Sequence, residues 1–162
     1  MSGGKYASET SVSVDKSRTE IERTLTRFGA TAFAYGWVSD PPGAQVMFEL
    51  DGRRMRMSVP MPKPGDRQFT HTPTGLERSE AGMRNEYDKE LRRLWRALLL
   101  IIKAKLEAIA SGIVTAEDEF LPHVVLPSGE TVREWVGPQL ARLYGTQAMP
   151  ALLPGLGDGE DS

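Results

Sequence analysis

Apolar side chains recur at three- and four-residue steps through residues 79–110, a segment that contains no proline. This spacing lines up side chains along one face of an α-helix. The apolar face comprises Tyr87, Leu91, Leu94, Trp95, Leu98, Ile102, Leu106 and Ile109. The other side carries the cations Lys89, Arg92, Arg93 and Arg96. The pattern therefore predicts one long helix that is apolar on one side and basic on the other.

Residues 31–38 alternate between two kinds of side chain, which is the period of a β-strand. One face carries Phe33, Tyr35 and Trp37, and the other carries alanine and glycine. Such an aromatic face suits either a buried core or a platform on which bases stack. The sequence predicts a strand here and leaves both roles of its aromatic face open.

A β-hairpin is predicted around Asp51-Gly52, which separates two alternating runs, residues 45–50 and 53–59. Asp-Gly favours a two-residue type I′ turn, in which both residues take positive φ. With that turn, Phe48 faces Met55 and Glu49 faces Arg54. The apolar face then carries Val46, Phe48, Leu50, Met55, Met57 and Val59. The polar face carries Glu49, Arg54, Arg56 and Ser58.

Shorter sequence patterns predict the elements before, between and after the strands and the long helix. An S-x-x-E capping box at Ser17 predicts a short first helix that ends at Gly29. Residues 60–75 are rich in proline and glycine and predict a long loop around His71, which is either a solvated histidine or a contact to a phosphate or base. Gly112 is expected to stop the long helix. After it we expect a short acidic turn, a brief strand at residues 124–126, and a second capping box of Thr131 and Glu134 that begins a helix ending near residue 144.

The predicted fold class is α+β: a small antiparallel sheet of about three strands packed on one long helix, with a helical C-terminal segment. The chain has 162 residues, which suits one domain. We place that domain at residues 16–149. A disordered N-terminal arm, residues 1–15, precedes it, and an extended acidic tail, residues 150–162, follows it.

Several chemistries are excluded by composition. The chain has no cysteine, so it has no disulfide, thiolate zinc site or cysteine nucleophile. Phosphate-binding glycine motifs and the nucleophile elbow are absent as well. A metal site on Glu117, Asp118, Glu119 and His123 is a minor alternative, because consecutive acids also suit a helix N-terminus. We expect neither an enzyme nor a cofactor. Because no apolar run is long enough to span a membrane, we expect a cytoplasmic protein with no membrane partner.

Charge is unevenly distributed along the chain. Residues 53–105 hold 13 Lys and Arg against 6 Asp and Glu, whereas residues 106–162 hold 2 against 9. Clustered cations attract the phosphates of nucleic acid. The candidate nucleic-acid-binding residues are Arg53, Arg54, Arg56, Lys89, Arg92, Arg93 and Arg96, with Tyr35 and Trp37 as candidate stacking residues. The acidic last third would neutralise this surface in the free protein or attract a basic partner. A charge run that only keeps the surface solvated is the alternative.

The chain resembles a group of small bacteriophage and prophage proteins. The resemblance covers roughly residues 16–155 and is carried by the runs FGATAFAYGW, RMRMSVPMP and RRLWRALLLIIKAKLEAIASGIVTAEDEFLPHVVLPSGETVREWVGPQLARLYGTQAMPALLPG. It implies a viral setting inside a bacterial cell, but it implies no activity and no site residues. The order of helix, three strands and long helix is also similar to the core of phage single-strand annealing proteins, which implies single-stranded DNA binding in recombination or replication.

A different class of function is left open. The long helix offers more apolar width at Leu94, Trp95, Leu98 and Leu99 than one small sheet covers. That width predicts a homo-oligomer through the helix. The alternative function is therefore a phage interaction protein that binds a host protein or acts as an oligomeric adaptor, without nucleic acid.

Overall fold

The computed structural model describes the backbone of residues 3–146 and the side chains of residues 14–146. The acidic tail predicted at residues 150–162 lies outside this range. The elements are α1 (Gly3–Arg27), β1 (Thr31–Ser39), β2 (Pro42–Leu50), β3 (Arg53–Pro60), α2 (Arg67–Thr70), α3 (Glu80–Ala110), α4 (Ala116–Phe120), a single 3₁₀ turn (Leu121–His123) and α5 (Val132–Thr146).

The three strands form one antiparallel sheet in the order β1-β2-β3. Phe48 pairs with Met55 and Glu49 with Arg54, so the predicted hairpin register is confirmed. Asp51 and Gly52 take φ values of 50° and 72°, as a type I′ turn requires. All six residues of the predicted apolar face are buried. The three-stranded antiparallel sheet of the predicted α+β fold is therefore confirmed.

Helix α3 supplies the other half of the core. The Ser79 hydroxyl accepts a hydrogen bond from the Gly82 N–H at its start, and Gly112 follows its end with φ of 71°. Five residues of the predicted apolar stripe or next to it are buried: Trp95, Leu98, Leu99, Ile102 and Leu106. Tyr35 of β1 packs edge-on against Trp95, with 6.1 Å between ring centroids. The long helix and its packing on the sheet are thus confirmed.

Helix α1 differs from the sequence-based expectation. It begins at Gly3, so it includes most of the range that was predicted as a disordered arm. The predicted helix start at Ser17 is wrong, because Ser17 lies inside the helix rather than at its cap. Ile21 and Leu25 are fully buried, as their spacing implies. They hold α1 on the core beside α3.

The connection between β3 and α3 is more ordered than a plain loop. Residues 67–70 form the helical turn α2, and Phe69 is buried within it. Its ring lies edge-on to Tyr87 of α3, with 5.3 Å between centroids. His71 forms a β-bridge with Glu77, which closes the segment in front of α3. An aromatic contact therefore fastens this proline-rich stretch to the helix.

The C-terminal elements lie along β3. Val124 bridges Met55, and Val125 bridges Thr131, so the brief strand predicted at residues 124–126 is present only as isolated bridges. The second capping box is confirmed in both directions. The Glu134 N–H donates to the Thr131 hydroxyl at 3.2 Å, and the Thr131 N–H donates to the Glu134 carboxylate at 2.7 Å. This cap fixes the point where α5 begins.

Two neighbouring isoleucines of α3 provide a test of the packing. Ile102 is fully buried, whereas Ile101 is 48% exposed. We expect Ile102→Ala to lower the free energy of unfolding by about 2–5 kcal/mol, because it removes buried methyl groups and leaves a cavity. The matched control Ile101→Ala should change it by no more than about 0.5 kcal/mol. Urea denaturation measures both values, and equal losses would contradict the packing of α3.

Candidate nucleic-acid interface

Two of the three hairpin arginines are engaged by the acidic C-terminal elements. Arg53 lies 3.1 Å from Glu117 of α4, and Arg56 lies 2.6 Å from Glu134 of α5. Arg54 is exposed and has no ion pair among the described residues. Acidic residues of the last third therefore pair with two hairpin cations and, through Glu119, with Lys105 at the end of the basic region.

The cations of α3 are placed differently. Lys89 and Arg96 are exposed and Arg92 is half-buried, and none of the three has an ion pair or side-chain hydrogen bond within the described residues. Their spacing of three and four residues puts them on one face of the helix, in a row about 10 Å long. Arg93 is the exception, because its guanidinium donates to both Glu90 carboxylate oxygens at 2.8 and 2.6 Å. Three predicted site residues thus form one unneutralised row.

The hairpin and the α3 row do not form one surface. Phe48, close to the hairpin turn, packs on Phe120 of α4 with 5.6 Å between centroids. The turn is therefore near the C-terminal end of α3, since α4 follows that end. Phe120 lies 5.8 Å from the Lys105 amine of α3, and Arg96 precedes Lys105 by about 13 Å along the helix axis. The unneutralised row and the paired hairpin cations occupy different parts of the molecule.

The two candidate stacking residues have unequal access to a ligand. Tyr35 is half-buried: its ring contacts Trp95, and its hydroxyl donates to the Arg18 carbonyl at 2.7 Å. This burial raises the pKa of Tyr35 to about 12. Trp37 is 60% exposed. The Arg18 guanidinium lies 4.6 Å from the Trp95 ring centroid and 5.8 Å from that of Trp37. Of the two aromatics, only Trp37 presents a ring to solvent.

A groove between α1 and α3 adds cations that the sequence analysis did not select. Its volume is about 560 Å³. The charged residues that line it are Lys16, Glu20, Arg23, Arg27, Lys103 and Glu107. Lys103 donates to Glu20, and this hydrogen bond lowers the pKa of Glu20. The α1 cations lie in the net-negative first third of the chain, so regional charge could not reveal them. Their recurrence on one helix was the available signal.

The predicted oligomer surface is largely internal. Trp95, Leu98 and Leu99 are buried in the core of the chain itself, and Leu94 is half-buried. The exposed apolar residues in this part of α3 are instead Leu100 and Ile101. The extra apolar width of the helix is used by α1 and β1, as the contacts of Arg18 and Tyr35 with Trp95 show.

The acidic residues considered for a metal site are used otherwise. Glu117 pairs with Arg53, Glu119 accepts from Lys105 at 2.8 Å, and Asp118 caps α4 with Thr115. Burial lowers the pKa of His123, and the positive charge of Lys105 adds to this effect. Among the described residues, no group of three His, Cys, Asp or Glu side chains is arranged to hold a metal ion.

Comparisons with known proteins identify no relative: no protein-family model, no curated protein and no solved structure matches the chain significantly. The resemblance to phage proteins therefore stays a prediction. Among the described residues, no helix is both long and apolar enough to cross a membrane. The site must be interpreted from its own geometry.

Glu134 links the acidic segment to the hairpin in a way that depends on pH. The hydrogen bond from the Thr131 N–H holds the pKa of Glu134 below its usual range, and the positive charge of Arg56 adds a smaller effect in the same direction. A depressed carboxyl pKa stabilises the fold above the unfolded-state value, and that contribution is lost as the pH falls through the folded-state value. We expect Glu134→Gln to retain the cap but to lose less stability than the natural chain between pH 7 and pH 3.

Urea denaturation of both proteins at the two pH values measures this difference. Glu130→Gln is the matched control, because Glu130 is an exposed acid of the same segment with no ion pair to the hairpin. If Glu134→Gln and the natural chain lose the same stability on acidification, the coupling of Glu134 to Thr131 and Arg56 does not stabilise the fold.

Proposed function

We propose that this chain binds nucleic acid, with single-stranded DNA as the ligand, through phosphate contacts along α3. The observation that carries the proposal is the row of Lys89, Arg92 and Arg96. These cations share a helix face and have no carboxylate partner among the described residues. Phosphates that replace solvent at such a row release condensed counterions, which is the main source of sequence-independent binding.

The shape of the row favours a single strand. It lies on a convex helix and is about 10 Å long, so it matches one phosphate backbone rather than two. A flexible strand can follow it into the groove lined by Arg23 and Arg27 of α1. The hairpin is a weaker candidate, because contact with Arg53 or Arg56 would first have to displace Glu117 or Glu134.

The biological setting follows from the sequence resemblance alone. If the chain is a phage protein, this mode of binding suits an accessory role in recombination or replication inside a bacterial host, where single strands are exposed. Base stacking on Trp37 stays a prediction beside it. Its exposed ring allows stacking, but the phosphate contacts do not depend on it.

Two double variants with the same change in net charge test the proposal. Arg92→Gln with Arg96→Gln removes two cations of the α3 row, and Arg53→Gln with Arg56→Gln removes two of the hairpin. We expect the first to weaken binding to a labelled oligo-dT by about tenfold or more at low salt. Its slope of log affinity against log salt should fall by about 1.4, at about 0.7 for each phosphate contact of a single strand. The second should keep most of the affinity and slope.

Fluorescence polarisation at several salt concentrations gives both quantities, and circular dichroism checks that each variant is folded. The proposal fails if the natural chain does not bind at low salt, or if its binding is insensitive to salt. An equal loss in both variants would assign the interface to the whole basic region instead of α3. A duplex of the same sequence, tested in parallel, shows whether a single strand is preferred.

A second candidate function is suggested by α5. Trp135, Leu140 and Tyr144 are each at least 47% exposed, and no residue of this helix is buried. Exposed aromatic residues of this kind are enriched in protein interfaces. A protein-binding role would be supported if Trp135→Ala with Tyr144→Ala abolished capture of a bacterial-lysate protein that survives nuclease treatment, while oligo-dT binding remained unchanged.

A further inference from the structure

Strand β1 forms an edge of the sheet, and within the described residues its outer hydrogen-bonding groups have no partner. The Met61 N–H donates to the Pro42 carbonyl, so the even-numbered residues of β2 bond to β3 and its odd-numbered residues bond to β1. The β1 partners of those odd-numbered residues are Ala34, Gly36 and Val38. The backbone groups of Phe33, Tyr35, Trp37 and Ser39 therefore point away from the sheet.

Nothing in the described part of the chain hydrogen-bonds to this edge. Among the described residues, no further backbone or side-chain hydrogen bond involves the backbone of residues 31–39. Charged residues and prolines usually keep an edge strand from pairing with another chain. This strand has nine residues and contains neither. Its Trp37 is 60% exposed. An open, uncharged edge of this length is a template for another strand.

We propose that β1 pairs antiparallel with β1 of a second copy of this chain, around a two-fold axis at Gly36. The regular part of the strand begins after the irregularity at Ala32, where φ is 57°, and it ends at Ser39. Gly36 is the midpoint of that segment. Centring there lets every outward-pointing residue from Phe33 to Ser39 pair with one of the partner copy.

The two-fold register is self-complementary. Tyr35 lies opposite the partner's Trp37, and Phe33 lies opposite the partner's Ser39. Cross-strand aromatic pairs stabilise antiparallel sheets, and two such pairs form here by symmetry. No like charges of β1 itself face each other, because the strand carries none. The pairing joins two three-stranded sheets into one of six strands and gives Trp37 a neighbour. It uses no residue of the α3 row, so it is independent of the proposed DNA binding.

A disulfide at the axis tests the register. Gly36 would face the partner's Gly36 as a non-hydrogen-bonded pair, with Cα atoms about 4.5 Å apart, within the range that a disulfide spans. A Cβ at Gly36 meets only the Met47 Cε atom, at 3.8 Å, so cysteine fits. The chain has no other cysteine. We expect Gly36→Cys to form a covalent dimer under mild oxidation, seen by non-reducing electrophoresis.

The matched control is Ala34→Cys, an exposed residue on the same face of β1. In the proposed register the two copies of residue 34 lie about 13 Å apart, beyond the reach of a disulfide. Rapid oxidation of Gly36→Cys and slow oxidation of Ala34→Cys support the proposal. Equal rates for the two variants overturn it.

The association itself is tested with Gly36→Lys, which would place two lysines directly opposite each other. We expect the natural chain to sediment as a dimer and Gly36→Lys to sediment as a folded monomer, because like charges at facing positions repel. The double variant that carries Arg92→Gln and Arg96→Gln should remain a dimer. Loss of DNA binding can therefore be distinguished from loss of dimerisation. A natural chain that stays monomeric at high micromolar concentration overturns the proposal, even where DNA binding is observed.

Discussion

Burial of Trp95 is the contact on which the other elements depend. Its side chain is almost completely enclosed, with Tyr35 of β1 at its edge and the Arg18 guanidinium over its ring. One residue thus joins the long helix, the first helix and the outer strand of the sheet. Large aromatic side chains contribute much of a core's burial energy, and the half-buried Arg18 guanidinium adds a cation–π contact.

The parts of the fold that could be predicted are those set by local signals. The period of α3 and the Asp51-Gly52 turn determined the long helix and the hairpin register, because each needs only neighbouring residues. The start of α1 could not be predicted in this way. The capping box at Ser17 has the right residues, but the helix does not begin there and continues back to Gly3. A local signal competes with helix propagation and can lose.

The candidate site was only partly predictable for a related reason. The cations were visible in the sequence, but their carboxylate partners lie far along the chain, as Arg53 with Glu117 and Arg56 with Glu134 show. Only the folded chain reveals which cations are neutralised. Among the described residues, the predicted site thus divides into Arg53 and Arg56, which are paired, and the α3 row, which is not. The α1 cations that line the groove were not predicted, because the net charge of their region of the sequence is negative.

The three tryptophans of the chain lie in three different environments. Trp95 is in the core, Trp37 is on the open strand and Trp135 is on the exposed helix α5. Indole emission shifts to longer wavelength when the ring is in contact with water, so the buried residue and the two exposed ones emit differently. In variants that keep a single tryptophan, each residue is thus an intrinsic optical probe of one part of the molecule: Trp95 reports core unfolding, Trp37 events at the sheet edge and Trp135 binding at α5.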